Sequence, residues 1–249
     1  MLHVRPILTG RLVRVADVTC CAPRGGRGQE EHSGAPEIVL PRRGAFTVHR
    51  GRRAATADPM TAVVLHGEYR ISHPGDGGDR CIALSFAPEL HEEALGDARV
   101  LRTAERLAIT LATDELEAEE QALHLLADLA AAPPLRAAPR VQEVRELLAS
   151  RPTERWTLAD ISRAVHTSPY HLARQFRAAT GETIARHLLG LRLALALDRL
   201  QDGEDDLARM AAELGFAGHS HFSERFRRSF GTTPSQVRKI LTARRAADA

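Results

Sequence analysis

TLADISRAVHTSPYHLARQFRAATGET (157–183) and DLARMAAELGFAGHSHFSERFRRSFGTT (206–233) are two copies of one pattern, and their reading decides the rest of the chain. Leu158-Ala159 aligns with Leu207-Ala208 at an offset of 49. After one extra residue in the second copy the offset becomes 50, pairing Leu172 with Phe222, Phe176-Arg177 with Phe226-Arg227, Gly181 with Gly231 and Thr183 with Thr233. Internal repetition of this kind constrains architecture before any single motif does. Each copy predicts a helix, a tight turn and a second helix. Thr157 caps the first helix, whose apolar positions Leu158, Ile161, Ala164 and Val165 share one face, and Asp160 completes a near capping box. Ser168 caps the next, and Pro169 sits at its first position, where a missing N–H costs nothing. Asp206 plays the capping role in the second copy, and Gly181 and Gly231 close the second helices.

A helix-turn-helix lays its second helix in the DNA major groove. The faces opposite the apolar anchors are then the reading faces: Tyr170, Ala173, Arg174 and Arg177 in copy one, and Ser220, Ser223, Glu224 and Arg227 in copy two. Arg174 suits guanine O6 and N7, and Glu224 suits cytosine N4. Arg227 and Arg228, with Arg225, add charge for phosphates. Between the copies, Glu182 to Leu200 places Ile184, Leu188, Leu191 and Leu195 on one stripe and predicts a connecting helix. At the usual rise it spans about 29 Å, near the ~34 Å between successive major grooves on one face of DNA.

The segment AAELGFAGHSHFSERFRRSFGTTPSQVRK (211–239) carries A-x-x-x-G-F, F-x-x-x-F, the following basic residues and G-x-[ST]-P. In these residues the last ~95 positions resemble the AraC/XylS family of transcriptional regulators, in spacing and in duplication alike. Val237 departs from the family's usual aromatic before the arginine, a change expected to alter packing of the last helix. The resemblance implies a cytoplasmic, non-enzymatic regulator, mostly of the activator kind. Its implied partners are double-stranded promoter DNA, RNA polymerase and an effector, with a homodimer possible.

Composition agrees with that reading. The chain has 249 residues and a net charge of +2, with the basic excess concentrated from Arg140 onward. Of 34 basic residues only Lys239 is a lysine, and arginine's planar fork suits phosphate. Three cysteines make no disulfide scaffold, and no apolar run reaches the ~18 residues of a membrane span. Arg5 and Pro6 interrupt any signal-peptide core, so a cytoplasmic location without a membrane partner is expected.

The first ninety residues read as short strands: Leu12–Val18, Glu37–Leu40, Ala45–His49, Thr61–Leu65, Tyr69–His73 and Cys81–Phe86. Ala22–Pro36 reads as a Gly/Arg-rich loop. The expected fold class is therefore α+β in two domains: a cupin-like effector barrel over 1–132, a proline-containing linker at 133–139, and an all-helical double helix-turn-helix domain over 140–249. The barrel is implied by the family, and the β-rich pattern agrees with it. Asp114 to Leu129 predicts an amphipathic helix that pairs subunits or packs on its own barrel.

The first ninety residues hold no metal-cupin signature of H-x-H with a downstream Glu and His, which argues against the rival reading of a metal-dependent cupin enzyme with an accessory helical domain. A looser set remains. Cys20, Cys21, His73 and Cys81, with His32 and His66 in the same region, offer thiolate and imidazole ligands for zinc or copper, or a redox-active thiol pair. The ordinary alternatives are buried structural cysteines and a small organic effector inside the barrel.

Overall fold

The computed structural model describes residues 2–21, 27–73, 78–87, 99–100, 115–131 and 138–247. Its amino-terminal part is an antiparallel sheet built from β1 (Leu2–Thr9), β2 (Val13–Cys20), β3 (Arg27–Arg43), β4 (Phe46–Arg50), β5 (Arg53–Ala57), β6 (Thr61–Ser72) and β7 (Asp79–Phe86). The order across the sheet is β1-β2-β7-β3-β6-β4-β5, and the short β8 (Arg99–Val100) lies beside β6. One face carries Val15, Ile38, Leu40, Val64, Ile82 and Leu84, covered by α1 (Glu115–Ala131) through Ala122, Leu125 and Leu129. The other face gathers Val39, Phe46, Val63, Leu65, Tyr69 and Cys81. The period-2 alternation of strands explains how adjacent residues such as Cys81 and Ile82 serve different cores.

The helical part holds α2 (Pro139–Ser150), α3 (Leu158–Ala164), α4 (Pro169–Thr180), α5 (Ile184–Gln201), α6 (Leu207–Glu213), α7 (His219–Phe230) and α8 (Pro234–Ala247). The pairs α3–α4 and α6–α7 match in length, and their offsets of 49 and 50 are those of the sequence alignment. Two cores result. Val144, Leu148, Ile161, Leu172 and Phe176 pack with the first half of α5, and Met210, Leu214, Phe222, Phe226 and Phe230 pack with its second half. The chain thus combines an antiparallel sheet with a double helix-turn-helix, the α+β architecture expected. Among the described residues the outer strands β1 and β5 do not pair, so the sheet there is an open path rather than a closed ring.

Several sequence expectations are corrected in detail. The Gly/Arg-rich segment predicted as a loop continues β3 from Arg27, and residues 22–26 lie outside the described part. Pairing with the long β6 satisfies its backbone, and register shifts between Arg27 and Glu30 and between Ser33 and Glu37 absorb the irregularity. Thr61–Leu65 and Tyr69–His73 are one strand, with Gly67 at φ +66° inside it and His73 just beyond its end. β1 and β5 were not expected. They are outer strands, bonded on one side only, and need little apolar alternation. The stripe expected on one side of α5 is instead burial nearly all round, because two helical cores and the sheet enclose it. Of the alternatives for α1, packing on its own sheet is seen for Ala122, Leu125 and Leu129, with Leu123 and Leu126 partly buried there, while Leu116 is exposed. The linker prolines Pro133 and Pro134, and the helix expected near Pro88, lie outside the described residues, whereas Pro139 opens α2.

The sheet meets the helices directly at the first half of α5. Ala45 and Met60, from turns of the sheet, join the first helical core. Gly190 accepts the Met60 side chain, since a Cβ there would stand 2.4 Å from its sulfur. A mid-helix glycine normally costs up to ~1 kcal/mol against alanine, and here it makes room for a neighbour.

Phe226 is fully buried and stacks against Phe222 and Phe230 at centroid distances of 5.7 and 4.3 Å. Phe226→Ala is expected to cost about 3–5 kcal/mol in urea unfolding of the helical part; an unchanged midpoint would contradict its place in the core.

Candidate functional site

Local chemistry bounds the helices of both copies in similar ways. Thr157 and Asp160 form the reciprocal capping box, Ser168 Oγ accepts from the His171 N–H at 3.3 Å, and Asp206 Oδ1 accepts from the Arg209 N–H at 2.9 Å. Gly181 (φ +78°) and Gly231 (φ +74°) end α4 and α7 in the left-handed region, their N–H groups bonding the carbonyls of Arg177 and Arg227. In the turns, His166 (φ +50°) corresponds to Gly215 (φ +75°). The one-residue insertion follows at that point, so Gly218 starts α7 without a side-chain cap where Ser168 supplies one for α4.

The sequence-predicted reading residues lie on outward faces. Tyr170, at 79% exposure, stands with Ala173, Arg174 and Arg177 opposite the buried Leu172 and Phe176. On α7, Ser220, Glu224, Arg227 and Arg228 are exposed, and Ser223 is half-buried beside His219 at 3.5 Å. Glu224 accepts from Arg228 Nη2 at 2.9 Å. The Glu224 carboxylate is thus already paired within α7, at the position where the sequence predicts a contact with cytosine. Val237 is fully buried among the phenylalanines of the second core, a packing position as expected.

The residues that sequence reasoning missed join the sheet to the helices. Asp58 is wholly buried in the turn before β6. Its Oδ1 accepts from the Met60 N–H at 2.8 Å, and its Oδ2 from Arg145 Nε of α2 at 2.8 Å and His187 Nε2 of α5 at 3.0 Å. The other His187 nitrogen faces Glu182 at 2.9 Å, and Arg145 also donates to Thr61 at 2.9 Å. Burial alone pushes the Asp58 carboxyl up, but the charges of Arg145 and His187 outweigh it and hold it well below the usual range. Burial pushes the His187 imidazole down, and Asp58 and Glu182 more than reverse this, leaving it raised. Both ring nitrogens then donate. A second bridge runs from Asp17 through Arg42 (3.0 Å) to Asp198 of α5 (2.9 Å), with Arg80 reaching Asp202 at 2.7 Å. Arg145 sits on the inward face of α2 between Val141 and Leu148. A charge at that place in an apolar stripe was the one available sign.

The Cys/His set divides. Cys20, at the end of β2, comes together with His73 and with Asp79, which sequence reading had not chosen; one ligand atom of each lies within 4.8 Å of the others. Cys21 is exposed and outside this group. Cys81 is buried and donates to Asp79 Oδ2 at 2.7 Å. His66 is exposed on β6, and the side chain of His32 lies outside the described residues. Beside the cluster a cavity of about 1000 Å³ opens between sheet and helices, bordered by Arg43, Arg80, Arg151 and Arg199 and by Leu191 and Leu195 of α5.

Residues 161–240 match a family described as a helix-turn-helix domain. The urease operon transcriptional activator of Escherichia coli is 29% identical over 100 residues, covering 40% of this chain and 33% of its own length. The HTH-type transcriptional activator RhaS of Escherichia fergusonii is 41% identical over 68 residues, covering 27% and 24%. A solved transcriptional regulator of Chromobacterium violaceum, described among AraC-type DNA-binding domain-containing proteins, is 28% identical with a TM-score of 0.40, covering 41% of this chain and 92% of that one. The chain spans about a quarter to a third of the length of these two curated relatives. No helix among the described residues is long and apolar enough to cross a membrane.

Because the folded-state value of His187 lies above its unfolded value, its stabilising contribution is complete below pH ~6.5 and is lost as pH rises through the raised value. Urea unfolding from about pH 6 to pH 9 should show wild type losing its advantage over His187→Gln as pH climbs. A constant gap across that range would rule out a protonated His187.

Proposed function

Residues 161–240 are an AraC-type helix-turn-helix domain holding two copies of the unit, and from that premise we propose that the whole chain is a sequence-specific transcriptional regulator of promoter DNA. The observation that carries this reading is the equivalence of α4 and α7. Both end on the same left-handed glycine cap and expose an arginine-bearing face, and both are anchored to one buried helix, α5. At 18 residues α5 is about 27 Å long, a separation suited to neighbouring major grooves. Tyr170, Ala173, Arg174 and Arg177 read one half-site, and Ser220, Ser223, Glu224 and Arg227 the other, with Arg228 on phosphate.

In this reading the sheet is the effector domain, divided from the DNA-binding domain within 133–139, and the chain works without catalysing a reaction. An effector seated in the cavity touches both the sheet and α5, so its affinity differs between arrangements that place these parts differently. Such a difference is the requirement for any ligand-driven switch. Asp58 and Arg42 supply the mechanical link, since each binds α5 from the sheet side. RNA polymerase is the further protein partner the reading entails. A homodimer would have to use a surface other than the covered face of α1.

Footprinting on a bound promoter should protect two successive major grooves on one face, and protection confined to one groove would refute the two-unit reading. Arg174→Ala should weaken binding to the cognate site by about 1–3 kcal/mol and relax preference at one base position. An equal loss on every sequence would place Arg174 on phosphate instead.

A further inference from the structure

The cluster at the end of β2 has the composition and spacing of a metal site, and we propose that Cys20, His73 and Asp79 bind a divalent cation of the zinc class, with a fourth position open to the neighbouring cavity. This proposal concerns the sheet alone and stands whether or not the helical half binds DNA.

Backbone register brings the three together. Cys20 lies directly opposite Asp79 in the antiparallel β2–β7 pair, and His73 follows the end of β6. Gly78, at φ +59°, lets the start of β7 press against β2, because a Cβ there would meet the Cys20 carbonyl oxygen at 2.2 Å. His73 and Asp79 are each 8% exposed, and Cys20 is half-buried and lines the cavity. His73 Nε2 and Asp79 Oδ1 are 2.6 Å apart. Two ligands of a tetrahedral zinc stand roughly 3.3 Å apart at the usual bond lengths, so this pair has to open by less than about 1 Å, and all three ligand atoms already lie within 4.8 Å of one another. Cys81 donates its S–H to the other carboxylate oxygen, which orients Asp79 and leaves one oxygen for the metal.

The donor set selects among metals. One thiolate, one imidazole and one carboxylate suit zinc in a three-ligand site with a vacant fourth position. Copper(I) prefers several soft sulfurs and gains little from a carboxylate. Zinc binding by the thiol releases its proton to solvent, with no change of oxidation state. The fourth position faces a cavity that reaches α5, and Asp79 adjoins Arg80, whose guanidinium contacts Asp202, the residue that caps that helix. The site therefore lies where sheet and helices meet.

The test uses the full chain, Zn2+ in competition with a chromogenic chelator, and Co2+ as a spectroscopic probe. Expected are one zinc per chain, tetrahedral cobalt bands and a single thiolate-to-cobalt charge-transfer band. Cys20→Ser and His73→Gln should each weaken zinc binding tenfold or more, and Cys21→Ser should leave it unchanged. The cobalt spectrum of the unaltered protein decides the question even if a variant misfolds. No zinc retained against the chelator, two thiolates in the spectrum, or wild-type binding by a folded Cys20→Ser overturns the assignment.

Discussion

The carboxylate of Asp58 is the contact on which the arrangement of the two halves depends. Its side chain has no solvent exposure, and it takes two cations, Arg145 from α2 and His187 from α5. Removing one partner from such a buried group leaves an uncompensated charge, which is far costlier than the net worth of the intact set. The same carboxyl also orders its own turn through the Met60 N–H and the Thr61 hydroxyl. That turn projects Met60 toward Gly190. One residue therefore shapes a loop of the sheet and fixes that loop against two helices.

Around this contact α5 acts as a common beam. Its first half completes the core of one helix-turn-helix and its second half the core of the other, while its remaining surface meets the sheet. A helix enclosed in this way cannot rotate without disturbing both cores, because packed interiors yield in discrete steps rather than continuously. A change in how the sheet holds α5 through Asp58 or Asp198 therefore bears on both helical cores at once. The second bridge through Arg42 is of a different character. Burial raises the Asp198 carboxyl despite Arg42 and Arg80 beside it. The 2.9 Å contact with Arg42 is an ion pair outside hydrogen-bond geometry, since neither atom has a hydrogen-bond partner.

The division of labour along the chain follows from these packings. The exposed residues of α4 and α7 are free of the cores that position them, so their chemistry can vary at little cost to the fold. The residues that join the halves enjoy no such freedom. Glu224 illustrates the boundary: the sequence predicts it as a reading residue, and its carboxylate pairs with Arg228 one turn away.

The duplicated helical unit, its caps, its anchors and its outward arginines were legible in the sequence, because all of them depend on contacts within a few residues. Periodicity and capping chemistry are local, and the repeat stated them twice. The sheet was legible only as alternating strands. Its two outer strands carried no alternation that exposed them, and the long β3 ran through glycines and a proline that read as a loop. The candidate metal set was half visible: Cys20 and His73 were chosen by residue type, but Asp79 joins them only through cross-strand register. Asp58 and His187 were invisible for the same reason, and Arg145 showed only as a charge out of place on an apolar face. They stand 87 and 129 residues apart along the chain, and a buried ion pair of that separation becomes a partner set only when packing removes the water between the elements that carry it.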